Sequence, residues 1–252
     1  MITTFKIFPQ IFREKQEKSK KRLEEFLKNS GEKQIHDLRT SIRRMEAAYL
    51  VFPNSFKNKK TNNFVYAYKS FFKKISILRD FDVIADNLLK NGLTENSELI
   101  KYIVEKREKK IKNLLKKAKK LSRLKITSIR NGNHSKIAPK YEKIIFSNVQ
   151  KIQDFLPIIS SDESKIKELH MMRKTAKKLR YLLEIEPEEN YSHLVSNMKH
   201  FQEILGDIHD YDITIDFLRK NSKKFSESLD IIKKQEEIRS ITYQNLASLL
   251  KK

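Results

Sequence analysis

IHDLRTSIRRMEAAYL, from Ile35 to Leu50, and LHMMRKTAKKLRYLLE, from Leu169 to Glu184, are two versions of one amphipathic helix. His36 aligns with His170, Arg39 with Arg173, Arg43 with Lys177 and Arg44 with Lys178, at an offset of 134 residues. Spacings of three and seven put His36, Arg39 and Arg43 on one helical face, and His170, Arg173, Lys174 and Lys177 on the equivalent face of the second copy. Leu38, Ile42 and Met45 in the first copy, and Met172, Ala176, Leu179 and Leu183 in the second, form the opposite, apolar faces. A second pair of segments follows in the same order. ISILRDFDVI (Ile75 to Ile84) matches LGDIHDYDIT (Leu205 to Thr214) at an offset of 130, aligning Arg79 with His209, Asp80 with Asp210 and Asp82 with Asp212. Lys69 and Lys199 align at that same offset. Two motifs repeated in order at nearly one offset are the signature of an internal duplication.

Outward from these segments, helical periodicity runs through nearly the whole chain. It predicts helices over 9–29, 33–52, 61–78, 81–91, 96–125, 137–155, 163–185, 191–206, 208–220 and 223–251. Ser30-Gly31 is expected to end the first through a left-handed glycine cap, and Pro53 and Asn91-Gly92 to end two others. Pro157 to Asp162 reads as a loop, with Ser160 and Glu163 as a capping box for the next helix. Pro187 and Asn190 separate two later helices. Only 4 Gly and 5 Pro occur in 252 residues, too few for the turns of an antiparallel β protein. The expectation is an all-α fold of two four-helix-type bundles. Residues 1–252 form one domain, with 1–130 as its first half and 131–252 as its second.

The polar faces of the two repeated helices are almost purely cationic, with few acidic partners one turn away, whereas a solvated face usually mixes signs. Arg180 and Tyr181 extend the second stripe. Guanidinium groups grip phosphate oxygens with paired hydrogen bonds, lysine adds point charge, and histidine becomes a further donor when a bound anion raises its pKa. Two such arrays make two cationic walls, suited to a linear polyanion more than to a single small phosphate.

Composition narrows the partner. The net charge is +22, from 54 Lys+Arg against 32 Asp+Glu, and such an excess disfavours the compact state unless an anion relieves it. Nucleic acid, an anionic membrane, or a polyanion such as polyphosphate would do so. A lysine-rich solvated surface accounts for scattered lysines but not for clustered arginine and histidine. The chain has no Cys, which excludes disulfides, thiolate chemistry and cysteine-ligated zinc. Met1 to Phe12 lacks the apolar core of a signal peptide. The longest apolar run, Ala47 to Phe52, is far short of a membrane span, so a cytoplasmic location is expected.

At HDLRTSIRR and LRDFDV in the first half, and HMMRKTAKKLRYLLE and LGDIHDYDI in the second, the sequence resembles the CHAD family, the conserved histidine α-helical domain. The resemblance spans about residues 9–250. It implies two helical bundles related by a pseudo-twofold axis, a basic groove or pore between them, and binding of inorganic polyphosphate there, with association with polyphosphate granules. Carried over by position, the implied binding residues are His36, Arg39, Arg43 and Arg44 in the first half. In the second they are His170, Arg173, Lys177, Lys178 and Arg180, with Lys174 on the same stripe. Lys69, Arg79 and Lys199 are additions. Met45-Glu46 stands where the second half has Leu179-Arg180, a carboxylate in place of a cation, and Ser76 replaces Gly206. No ExExK signature of a fused triphosphate-processing domain is present, so the resemblance is to a stand-alone member.

Other features weigh less. Asp80/Asp82 and Asp210/Asp212 are read as orienting Arg and His side chains or capping short helices, not as a Mg²⁺ site. The run Lys101 to Lys125 holds twelve Lys/Arg and two Glu and reads as a solvated face, the alternatives being a wider anion-binding surface or weak nucleic-acid contacts. Leu114, Leu115, Ala118, Leu121, Phe225, Leu229, Ile232 and Leu246 read as core, and Phe71 and Phe72 fit a core better than a base-stacking platform. There is no phosphate-cradling glycine loop or nucleophile motif. No catalytic residue, metal ligand or cofactor is assigned. The expected partner is inorganic polyphosphate, for which phosphate or sulfate ions can substitute in crystals. Membrane and sequence-specific nucleic acid are not expected. The competing readings are a nucleic-acid-binding helical protein and a Mg²⁺-dependent phosphate-processing enzyme.

Overall fold

The computed structural model describes residues 4–185, 192–225 and 228–250. Pro187 and Asn190, expected to separate two helices, lie outside the described residues. Among those described, regular structure is helical, with no strand: α1 (Phe8–Lys28), α2 (Glu32–Leu50), α3 (Lys59–Lys90), α4 (Glu98–Ser122), α5 (Ile137–Ser161), α6 (Ile166–Leu183), α7 (Ser192–Asn221) and α8 (Ser228–Leu250), with short 3-10 turns between some of them. The first four contain 21, 19, 32 and 25 residues, and the second four 25, 18, 30 and 23.

Two expected breaks are absent. ISILRDFDVI lies inside the unbroken helix α3, and LGDIHDYDIT inside α7. A capping aspartate must turn back to its own backbone. These aspartates instead reach the next helix, where Asp82 accepts from Arg107 Nε at 2.5 Å and Asp212 accepts from Arg239 Nε at 2.6 Å. The helices therefore run on through both motifs. Gly206 is then a glycine in a helix interior, and an added Cβ would meet nothing within 4 Å. Gly206→Ala should stabilise the fold by about 0.5–1 kcal/mol in chemical denaturation, since alanine lowers unfolded-chain entropy without a clash.

The other boundary corrections are local. Gly31 has φ −69° and is the N-cap of α2. The left-handed glycine among the described residues is Gly92 (φ 102°), which follows α3. Pro157 lies inside α5, where it has no N–H to give to the carbonyl one turn back. Ser160 is helical too, so the expected capping box with Glu163 does not form. Asp162 accepts from the Ser164 amide at 2.8 Å, and Glu163 accepts from Ser240 Oγ at 3.0 Å.

The chain forms two compact units: Met1–Arg79, Lys109–Asn148 and Lys178–Ser192 in the first; Asp80–Glu108, Val149–Lys177 and His193–Lys252 in the second. These units are not the halves 1–130 and 131–252, because α3, α4, α5 and α6 each contribute residues to both. In the first unit, α1 packs against α2, and Ile35, Leu38, Ile42 and Met45 of α2 are fully buried with Phe8, Phe12, Leu23 and Phe26 of α1 in the same core. Burial of each such side chain is worth about 1.5–3 kcal/mol relative to exposure, which fixes α2's rotation about its axis. Leu114, Ala118, Leu121, Phe71 and Phe72 belong to this core as expected. Buried Gln16 pins the segment after α4, donating to the Thr127 carbonyl at 2.8 Å and accepting from its amide at 3.1 Å.

The second unit's core includes Ile84, Leu88, Leu99, Ile103, Ile215, Leu218, Phe225 and Ile232. Leu229, expected in the core, is 60 % exposed. The inward face of α8 is Ser228, Ile232, Gln235, Arg239, Tyr243 and Leu246, and Leu229 lies about 80° from its centre at 3.6 residues per turn. No helix among the described residues is long and apolar enough to cross a membrane.

Candidate functional site

In the first unit, burial of the apolar face of α2 turns its cations outward. The guanidinium groups of Arg39 and Arg43 both lie over the ring of Phe72 on α3, at 4.9 and 4.2 Å from its centroid. Such a contact holds a guanidinium plane in place for about 0.5–1 kcal/mol at an exposed site. Glu46 lies beside this pair, 4.0 Å from Arg43 Nη1 and 3.9 Å from Lys69 Nζ. Burial pushes its carboxyl pKa up, against the pull of Arg43, Lys69 and Lys73. Thus Arg39, Arg43 and Lys69 fall in one neighbourhood, with Glu46 beside Arg43 and Lys69.

A second cluster joins α1, α2 and α6. Arg44 Nε donates to one Glu184 oxygen at 3.0 Å, and Arg180 Nε lies 3.4 Å from the other. Both guanidinium groups flank the ring of Tyr181, at 5.9 and 4.9 Å. Lys15 of α1 completes the group. Its ammonium pKa is lowered first by burial and then by the charge of Arg44, while Glu184 acts in the opposite direction. Arg44 and Arg180, from two helices, thus share one carboxylate, with the half-buried Lys15 close enough to feel both Arg44 and Glu184. Arg79 is paired with Glu32, His36 is exposed near the start of α2, and Lys178 is exposed on α6.

The second unit holds His170, Arg173, Lys174 and Lys177 of α6 and Lys199 of α7. His170 Nδ1 lies 3.0 Å from His209 Nδ1, a distance that requires one ring to donate and the other to accept. Burial, then Lys174, Arg173 and Lys177, lower the His170 pKa to about 4. Burial, then Arg173, His170 and the two lysines, lower that of His209 to about 2. Both imidazoles are therefore neutral at pH 7. Arg173 lies 4.0 Å from Asp210. Lys174 and Lys199 are exposed, and Lys177 is half-buried.

The cationic stripes are less bare of acid than the sequence suggests, since Glu46, Glu184, Glu32 and Asp210 each meet one of the expected ligands. Lys15, Phe72, Glu184 and His209 are contributors that the expected set omits. Glu184 closes the second repeated segment and His209 aligns with Arg79, so both carried a signal. Lys15 and Phe72 carried none, because they lie on other helices and only the packing brings them close. Asp82 and Asp212 each engage an arginine. Among the described residues there is no group of three or more His, Cys, Asp or Glu placed to hold a metal ion.

The fold and these residues define a class: an all-helical domain in which two helices each carry a histidine followed three residues later by an arginine, on a strongly basic chain. The model of the CHAD domain family matches residues 10–219, and the chain belongs to that family. The crystal structure of the CHAD domain from the plant Ricinus communis is similar, with a TM-score of 0.64, 15 % identity, and coverage of 94 % of this chain and 85 % of that one. No curated protein matches the sequence.

Proposed function

We propose that this chain binds inorganic polyphosphate without catalysis, through the Arg, Lys and His residues that α2 and α6 contribute from two duplicated halves. Some CHAD family members bind polyphosphate. The basic groove implied by the family, a cytoplasmic location and association with polyphosphate granules belong to the same reading.

The observation that carries it is the placement of Arg39 and Arg43 over one ring. Two like charges held side by side repel each other, and a polyanion turns that cost into attraction. The convergence of Arg44 and Arg180 on one carboxylate, with Lys15 near Arg44, supports the same ligand. Duplication is supported by matched pairs at an offset of 130 beyond the repeated motifs. Lys90 bonds Asp86 as Lys220 bonds Asp216, and Asn91 donates to the carbonyl of residue 87 as Asn221 does to that of 217.

Calorimetric titration with polyphosphates of graded length tests the proposal. Affinity should rise with length, because a longer chain engages more cations at once. If about eight phosphates are neutralised, the log–log salt slope should be roughly −5 to −6, by the single-strand coefficient. Ligand at about 100 times Kd should stabilise the fold by about 2.7 kcal/mol, read as a higher Tm. Tighter binding of RNA or DNA at equal phosphate and physiological salt would replace this reading with a nucleic-acid one. Phosphate release with Mg²⁺, lost on changing Asp82 or Asp212, would replace it with an enzyme.

A further inference from the structure

A groove in the first unit, outside the clusters described above, has a volume of about 420 Å³ and lies between α3 and α4. Five lysines line it: Lys74 from α3, and Lys110, Lys116, Lys117 and Lys120 from α4. Asn113 adds an amide, and Ile77 and Leu114 supply the apolar lining. Among the described residues none that lines it is acidic.

The sequence around the groove is equally one-sided. From Lys109 to Lys125 there are nine Lys or Arg and no Asp or Glu. In α8, which holds the corresponding place in the second set of four helices, Arg239 matches Arg107, and the part that follows, Ile241 to Leu250, has no charged residue. A face needed only for solubility mixes signs. The charge on this part of α4 is therefore particular to the first half and is not explained by the duplication.

From this we infer that the α3/α4 lysine groove is a second binding site for phosphoryl groups, taking a further stretch of a long polyphosphate chain; the inference rests on the function proposed above. Lysine, not arginine, lines the groove. Ammonium groups act as point charges without the bidentate geometry that fixes one orientation, which suits a polymer free to slide in register. The lining carries no aromatic ring on which a base can stack, and such rings are what single-stranded nucleic-acid sites use. A volume of about 420 Å³ falls within the roughly 300–1,000 Å³ range of small-ligand sites, enough for a few phosphates and not for a folded partner.

The test is the triple variant Lys110→Gln/Lys117→Gln/Lys120→Gln, with Lys74→Gln as an independent variant on the other helix. Both keep helix-compatible side chains, and far-UV circular dichroism checks the fold. Affinity is measured for tripolyphosphate, long-chain polyphosphate and single-stranded RNA. The triple variant should bind long polyphosphate about tenfold more weakly, with a salt slope shallower by about 2 for three lost cations. Lys74→Gln should act in the same direction with a smaller effect, and tripolyphosphate affinity should hold within twofold in both.

Unchanged long-chain affinity in both variants would overturn the groove while leaving the α2/α6 reading intact. Equal weakening of short and long chains would also overturn it, showing only a general charge effect. Loss of RNA binding alone would assign the groove to nucleic acid instead. Failure of the unmodified protein to bind either polyphosphate would remove both proposals.

Discussion

Charge reversal at two positions, Arg39→Glu with Arg173→Glu, should weaken polyphosphate binding by about 1,000-fold, to the point of abolishing it at physiological salt. Removing one member of a close, desolvated charge pair costs about 2–5 kcal/mol. Two losses at the low end give about 4 kcal/mol, close to three factors of ten at 1.4 kcal/mol each. Arg39 lies over Phe72, so its loss exposes a ring and leaves the core of α2 untouched. Arg173 lies near Asp210 and next to the two histidines, so a glutamate there adds repulsion with that carboxylate. The milder pair, Arg39→Gln with Arg173→Gln, should keep the native Tm within a few degrees and still lose about 100-fold in affinity. Wild-type binding of long polyphosphate by the folded double variant would show the site assignment to be wrong.

Acidification should tighten binding by up to about tenfold for each pH unit between roughly 6.5 and 5, the limit for one proton taken up with the ligand. His170 and His209 are neutral in the free protein because burial and the neighbouring Arg173, Lys174 and Lys177 hold their pKa values at about 4 and about 2. A bound phosphate chain offsets those cations and offers an acceptor, so it raises the imidazole pKa and binding takes up a proton. Glu46 moves affinity in the same direction, since its raised pKa lets it lose charge on acidification. The double variant His170→Gln/His209→Gln should therefore lose most of that slope.

The same shifts set the stability of the free protein. The folded pKa values lie below the unfolded imidazole value of about 6.5, so the unfolded chain binds protons first as pH falls. The stability contributed by the neutral pair is complete above about pH 6.5 and is lost progressively toward pH 4 through His170 and on toward pH 2 through His209. Thermal melts at pH 7.5 and 5.5 should show a lower Tm at 5.5 without ligand and a smaller drop with it. Glu46, whose pKa burial raises, acts in the opposite direction, so the comparison is with His170→Gln/His209→Gln: an equal drop in that variant would contradict neutral imidazoles as the source.

Helix type and the buried faces of α2 and α6 were legible because they depend on local period: Leu38, Ile42, Met45, Met172 and Leu179 stand where the 3.6-residue repeat puts them. What failed was punctuation. The Asp80/Asp82 and Asp210/Asp212 pairs look like caps in a window of ten residues. They do not act so because Arg107 and Arg239, some 25 residues further on, draw Asp82 and Asp212 sideways. Pro157 misled for a similar reason, since a proline's local cost can be carried by a helix that packs on both sides of it. The cationic stripe was legible as residues and not as a circuit. Its counter-ions Glu46 and Glu184 were visible in the quoted segments, but Lys69, which meets Glu46, comes from elsewhere in the chain, and only the packing brings Arg44 of one segment to Glu184 of the other.

The interleaving of the two compact units has a consequence during synthesis. The first unit is complete only when the segment ending at Ser192 has been added, and the second draws on residues as late as Lys252. A nascent chain emerging from the ribosome with its first 130 residues therefore holds parts of both units and the whole of neither. Its exposed apolar helix faces must wait for distant segments before they are covered, the situation in which chaperone capture competes with folding. A gene that arose by doubling a four-helix segment would have gained, with its second copy, the strands of sequence that let either unit close.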